Sequence, residues 1–513
     1  MRFTPSPSVL PIHSLTSRLA LSALAAAAVL ALSACGGGGG SAASGGGTTG
    51  AGSTTYSGAV SGLGSIVVNG ARFSTSGASV IESETEGSYK RAFALGTTVS
   101  VTGSIDDSAT SGSATSITVH GGVRGAVSAV VFDTNSTVTG TLTVAGQTLK
   151  VDANTVFEIN GATQTLAGLQ TLVGAGTVFV EVYAVGDATS GFLATRVEQK
   201  ASIAEGYAVV GKVVSGSLNT TNKTFNLLLR NGTTVSVDYA NAALRPANVT
   251  LTEGTAVRVV STTNPATLGN SSTLTATKLI VKRDRAITGR AKVRGAIATL
   301  NGSTLTVNDV TVDVSQAKFD DGLTLANLAV GTVVKVEGTF ANGVLVAREV
   351  ESDGREYAAA GGVKLYGIVS VASPDTPSTF SVQGLTITVP NGKTRPTIGR
   401  YVEVVAQQVN GVLTLVKAEN EDNRASRSFE VYGTTPCAAG SSDLMGTFTL
   451  TLRNGTSTAV DGRNASISLE DGVSMTSGLA NAQCLVEVKG AVSSNIITAA
   501  RIEVKARTAP AAN

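Results

Sequence analysis

Few residues of this 513-residue chain have the types and spacing to do chemistry. Cys437 and Cys484 come first. In an exported chain an even cysteine pair within one domain reads as a disulfide. Closing a loop of about 48 residues would stabilise that domain by about 4 kcal/mol in the chain-entropy model. No CxxC spacing and no adjacent base favours a reactive thiolate instead. Histidine is nearly absent: His13 and His120 are the only two. A lone His120 in THGGVRG cannot assemble a Ser-His-Asp or Cys-His relay, and it reads as a solvated linker residue. HExxH, paired CxxC and P-loop patterns are missing. Two charge clusters remain. Lys282, Arg283, Asp284, Arg285, Arg290, Lys292 and Arg294 suit phosphates or an acidic glycan. Glu419, Glu421, Asp422 and Glu430 suit a hard cation, which wants several carboxylate oxygens. Neither has a defined ligand spacing, so both read first as solvated charges between domains. Carboxylates alone can hydrolyse glycosides, but no acidic pair recurs along the chain. The expectation is therefore no catalytic residue, no cofactor and no metal site.

The elements that must position these residues are legible from composition. The chain has 59 Gly, 13 Phe, 9 Tyr and no Trp, and 14% of its residues are charged. Threonine and valine enrichment favours strands, because branched side chains fit a pleated surface. Short runs punctuated by Gly and Asn fit an all-β protein. Self-comparison then shows repetition. A phrase "apolar-x-Gly-x-apolar" recurs as YSGAV (56–60), VRGAV (123–127), VVGKV (209–213), VRGAI (293–297), LYGIV (365–369) and VYGTT (431–435). Hairpin turns follow at Asn69-Gly70, Ala145-Gly146, Asn231-Gly232, Asn308-Asp309, Gln383-Gly384 and Asn454-Gly455. After a variable connector comes a second phrase, Gly-x-x-Val-x-Val, as in GTTVSV at 96–101, GTAVRV at 254–259 and GTVVKV at 331–336. Its alternating valines are expected to fill a core.

Strand, two-stranded hairpin, connector and second hairpin is the order of an OB-like barrel. The fold class is therefore all-β: six tandem small five-stranded OB-like β-barrels. The repeats run 56–121, 122–203, 204–284, 285–356, 357–425 and 426–506, with a tail at 507–513. Immunoglobulin-like sandwiches would need about seven strands and nearer 100 residues each. The connector TLAGLQTL (165–172) has helical spacing of leucines; copy five is too short there for a connector helix.

The first 34 residues read as an export signal, with Arg2 and Arg18 ahead of the apolar run LALSALAAAAVLAL at 19–32. The LSAC that ends it resembles a bacterial lipobox. That resemblance implies cleavage before Cys35 and acylation of its thiol, and Gly36 in the next position implies sorting to the outer membrane. The Gly/Ser-rich residues 35–55 form a tether with a reach of about 25 Å. Beyond residue 34 the chain carries 36 basic and 36 acidic residues, so there is no electrostatic footprint for nucleic acid. The repeat arrangement resembles tandem domains of unknown function in exported proteobacterial proteins, many of them lipoproteins. It implies a lipid-anchored envelope protein, at the outer membrane and facing the periplasm or the cell surface. Its role would be structural, adhesive or binding, with the membrane and an envelope protein or glycan as partners. A carbohydrate or small-ligand binding module is the alternative.

Overall fold

The computed structural model describes residues 54–508 apart from 69, 106–110, 160–161, 188–190, 230–231, 268–272, 282–288, 308–309, 331, 342–343, 353–361, 373–374, 410, 421–428, 454, 471, 477–478, 480 and 494–495. Cys35, the export signal and the tether as far as residue 53 lie outside the described residues. So do Asn69, Asn231, Asn308, Asp309 and Asn454 of the hairpin turns.

The described chain is all-β, with one α-helix, Leu166–Ala175. Copy one shows the plan. Its strands are Thr54–Leu63, Ile66–Val68, Ala71–Ser74, Thr98–Ile105 and Ser111–Val119. The first strand takes in Thr54 and Thr55, which composition assigns to the tether. Strand one pairs antiparallel with two, and two with three. Strand three pairs parallel with five, five antiparallel with four, and four antiparallel with one. The sheet thus returns to its starting strand and leaves no edge in the ring.

The same order recurs in copy two, with strands Val123–Phe132, Gly140–Val144, Gln147–Val151, Phe179–Asp187 and Gly191–Lys200. It recurs in copy four over Gly289–Asn301, Thr304–Val307, Val310–Asp313, Val333–Ala341 and Val344–Ser352. Copy six uses Phe429–Pro436, Thr447–Thr451, Ser457–Asp461, Gln483–Ser493 and Ile496–Thr508. Copy three runs Tyr207–Val213, Thr224–Leu229, Thr234–Asp238 and Ala256–Ser261, and its fifth strand is split into Thr273–Thr275 and Lys278–Val281. Copy five runs Gly362–Ile368, Thr379–Val382, Leu385–Thr388, Tyr401–Val409 and Val412–Asn420, and joins its first and second strands through a Ser370–Ser381 bridge.

Five strands are not the whole of most copies. A further short strand after the third pairs parallel with the fifth, as at Ser79–Glu82, Val156–Ile159, Ala243–Arg245, Lys318–Phe319 and Ser466–Leu469. The connector helix forms in copy two, where Thr165 caps it by accepting from Gly168 N. In copy four the connector over 321–330 is a series of turns.

Both recurring phrases have a steric cause. In the first, Gly125 and Gly433 sit where strand one crosses close to the next hairpin; a Cβ there would come within 2.9 Å of Ala145 Cβ and 2.7 Å of Leu450 Cγ. In the second, the valines are buried in all six copies, as at Val99 and Val101, Val257 and Val259, and Val486 and Val488. Each such burial stabilises the barrel by roughly 1.5–3 kcal/mol. The strand then bulges at Gly103, Gly338 and Gly490. A Cβ at these three would lie 2.3, 2.2 and 2.0 Å from the carbonyl oxygen of the fifth strand.

The described residues form one compact unit. The first strands of copies one and five pair in parallel, so one sheet and one core run through both. Copies two and three share a second continuous core. Copy six takes Val67 of copy one and Tyr366 and Tyr401 of copy five into its own. Copy four keeps a core of its own.

Candidate functional site

The sequence-predicted residues divide in the structure. Cys437 follows the first strand of copy six and Cys484 begins its fourth; they form a disulfide with Cα atoms 5.8 Å apart. His120 is half-buried, and its Nε2 lies 2.8 Å from Ser100 Oγ. It is therefore held by the barrel rather than hanging in a solvated linker. Of the basic cluster, 282–288 lie outside the described residues, and Lys292 pairs with Glu337 inside copy four at 3.0 Å. Of the acidic cluster, Glu421 and Asp422 lie outside them and Glu419 pairs with Lys417. Glu430 overturns the solvated reading: it is 1% exposed.

Glu430 belongs to a set of buried charges that sequence reasoning missed. The residue between the two valines of Val-x-Val points away from its own core. It is Ser100, Glu181, Arg258, Lys335, Glu403 and Glu487 in copies one to six. In copies four and five this residue pairs within its own copy, Lys335 with Glu351 at 3.1 Å and Glu403 with Lys364. In copies two, three and six another copy covers it.

Where copies one, two and three meet, Arg124 donates to both oxygens of Glu84 at 3.1 Å. Arg258 pairs with the same carboxylate and donates to Glu181 Oε1 at 3.0 Å. Lys278 donates to Glu84 Oε1 at 3.1 Å. The arginines spend further donors on backbone: Arg124 Nε on Gly206 O at 2.8 Å and Arg258 Nε on Gly122 O at 2.7 Å. Burial pushes the Glu84 carboxyl up, but the two guanidinium groups outweigh it and hold it well below the usual carboxylate range.

Where copies one and six meet, the arrangement differs. Thr75 Oγ1 lies 3.0 Å from Glu430 Oε2 and 2.9 Å from Glu487 Oε1. A hydroxyl has one proton to donate. Both contacts are hydrogen bonds when Glu487 holds a proton and donates to Thr75, which donates to Glu430. Burial, with the neighbouring Glu430 charge, pushes Glu487 above the usual range in keeping with that pattern. Lys489 pairs with Glu430, and Lys505 lies 3.5 Å from Glu487 Oε2 and 2.7 Å from Glu503.

A cavity of about 430 Å³ opens where copies one, two, five and six converge. Copy two contributes Glu158, Arg196 and Glu198 to its walls, copy one Tyr89, Arg91 and Phe93, copy five Gln383, and copy six Tyr432, Thr434 and Arg453. Gln383 sits in a left-handed hairpin position, φ 55°. Its Nε2 donates to Tyr366 O at 2.7 Å and Glu430 O at 2.8 Å, which fastens copy five to copy six. Arg196 donates to Glu158 at 2.6 Å, Arg453 pairs with the same carboxylate, and Arg91 donates to Glu198 at 3.4 Å. Burial pushes Glu198 up; Lys200, Arg196 and Arg91 outweigh it and keep it ionised. Phe93 stacks on Tyr89 with centroids 5.7 Å apart and meets Tyr432 edge-on at 6.3 Å. For Glu158, Arg196 and Glu198 the only advance signal was charge at outward strand positions; Tyr89, Arg91, Phe93 and Arg453 lie outside the strands. Among the described residues, no group of three or more His, Cys, Asp or Glu side chains is placed to hold a metal ion.

Residues 57–118, 124–198 and 294–351 each match the model of a domain of unknown function, DUF5666. No curated protein matches the chain. A solved structure titled "drosophila Unr CSD456" is similar over 42% of this chain and 97% of its own, at 15% identity and a TM-score of 0.13. The matched segments coincide with copies one, two and four, so the chain carries a domain of unknown function in repeated copies.

Proposed function

We propose that the chain is a lipid-anchored protein of the cell envelope whose copies act together as one rigid, non-catalytic body for spacing or binding. The observation that carries this reading is the position of copy one. It meets copies two and three through Glu84, copy five through a shared sheet, and copy six through Thr75. Beads on linkers would need none of these buried contacts. Membrane attachment through an acylated Cys35 rests on the LSAC sequence and the apolar run before it, and outer-membrane sorting on Gly36. Small-angle scattering of the mature chain should give one compact particle at all ionic strengths up to 1 M salt. An extended, salt-dependent profile would sink the rigid-body reading. Incorporation of labelled palmitate should be lost in Cys35→Ser; incorporation that persists would sink the anchor.

A second reading, binding of a carbohydrate or other small ligand, is favoured by the cavity among copies one, two, five and six.

A further inference from the structure

The cavity's own chemistry narrows its ligand. This inference rests on the second reading above. Its volume of about 430 Å³ falls within the range that holds small organic ligands, about 300–1,000 Å³. The charges on its walls are already answered. Glu158 faces Arg196 and Arg453, and Glu198 faces Arg91 and Arg196. An anion entering here would have to displace a carboxylate, and a cation would have to displace a guanidinium. Either exchange leaves a charge without its partner, and the cost is greatest at Arg196, which is 4% exposed. A neutral ligand avoids that cost if it can donate to the carboxylates and accept from the guanidinium groups. Hydroxyls do both.

Two further observations point the same way. Arg196 Nε is buried and makes no hydrogen bond, with Glu198 Oε2 at 3.5 Å. This donor is unspent and lies just behind the cavity wall, closed to solvent. Beside the charged wall, Tyr89, Phe93 and Tyr432 present an apolar, aromatic one. Burial raises the Tyr89 phenol, so it stays neutral. A pyranose ring has this same division, with hydroxyls around its rim and C–H groups on its face. We infer that the cavity binds a neutral sugar of one or two pyranose rings. Arg196, Arg453 and Glu158 take its hydroxyls, and the aromatic wall takes its C–H face.

The test is calorimetric titration of the full mature, lipidated chain in detergent. The neutral probes are glucose, galactose, N-acetylglucosamine, maltose and cellobiose; glucuronate and phosphate are the anionic ones. One neutral sugar should bind with one site per chain, and both anions should fail to compete. Thr434 is exposed at the cavity wall, so Thr434→Trp fills the opening without touching a core. It should weaken binding by at least about tenfold. Arg453→Lys keeps the charge and loses the planar fork, and should weaken it less. Scattering profiles of both variants should match the parent. Binding of glucuronate or phosphate in place of every neutral sugar overturns the assignment. Sugar binding that ignores Thr434→Trp and Arg453→Lys moves the site elsewhere and leaves the ligand-binding reading standing. Heats at background for every probe remove both.

Discussion

The two charged junctions around copy one make a useful contrast. At the first, among copies one, two and three, two arginines and a lysine surround Glu84, and both arginines finish their hydrogen bonding on backbone carbonyls. At the second, between copies one and six, carboxylates crowd Lys489 and Lys505, and a single threonine hydroxyl stands between two of them. Both use the outward residue of the same strand phrase. The first junction matches its cations with carboxylates and holds Glu84 well below the usual range; the second gathers excess negative charge and pushes Glu487 above it. Like scaffolding in the repeats thus supports junctions that shift a buried carboxyl in opposite directions.

The contrast breaks most sharply at Glu84. Glu84→Ala removes the carboxylate shared by two buried guanidinium groups, which keep Glu181 and Glu205 as partners, and should cost about 3 kcal/mol. Urea unfolding checks it, and hydrogen exchange should report opening in copies two and three before copy six. Second comes the disulfide. Replacing Cys437 and Cys484 by alanine should cost about 2–4 kcal/mol, confined to copy six. Equal loosening at the Glu84 junction would show that the two regions unfold as one.

Third is pH. Glu84 has a lowered value in the folded state, so its contribution is complete above its ordinary 4.5 and is lost as pH falls below that. Glu487 has a raised value, so its contribution is complete below 4.5 and fades as pH climbs from there through the raised value. Hydrogen exchange at pH 4 and pH 7 should therefore shift protection in opposite directions at the two junctions. Parallel shifts would dissolve the contrast. The smallest effect is expected for Glu487→Gln at pH 7. Its amide can donate to Thr75 as a protonated carboxyl would, so stability should move by no more than about 1 kcal/mol. A loss on the scale of Glu84→Ala would mean that Glu487 is ionised and needed so.

How much of this was readable beforehand follows from what each residue touches. The valines of Val-x-Val, the hairpin turn pairs and the first-strand glycines act within one copy, at sequence distances that a repeat comparison can see. Their strands appear where the pattern puts them. Ala145-Gly146 and Gln383-Gly384 even take positive φ at both positions, as a type I′ hairpin requires. Arg124, Glu181, Arg258 and Glu487 lie on the outward side of those same strands. Alternation identifies that side but carries no information on what covers it. Glu430 shows the limit plainly: sequence neighbours make it one acid in a run, whereas Thr75, 355 residues away, makes it buried. The cavity was hidden for the same reason, since four copies supply its walls. The extra parallel strands were missed because they are three or four residues long in most copies and borrow their register from the fifth strand.

The meeting of copy one with copy six has a consequence for how the molecule is made. A chain emerges from synthesis with its N-terminal end first and tends to fold domain by domain. Copy one is therefore delivered long before Glu430 and Glu487 arrive to fill their seat and before Val67 is covered. Most of the chain must be delivered before the last copy covers that face. Such distant contacts form late and slowly. A truncation that removes copy six would leave every other repeat intact in sequence and still expose the oldest surface in the molecule, which makes copy six the seal on copy one.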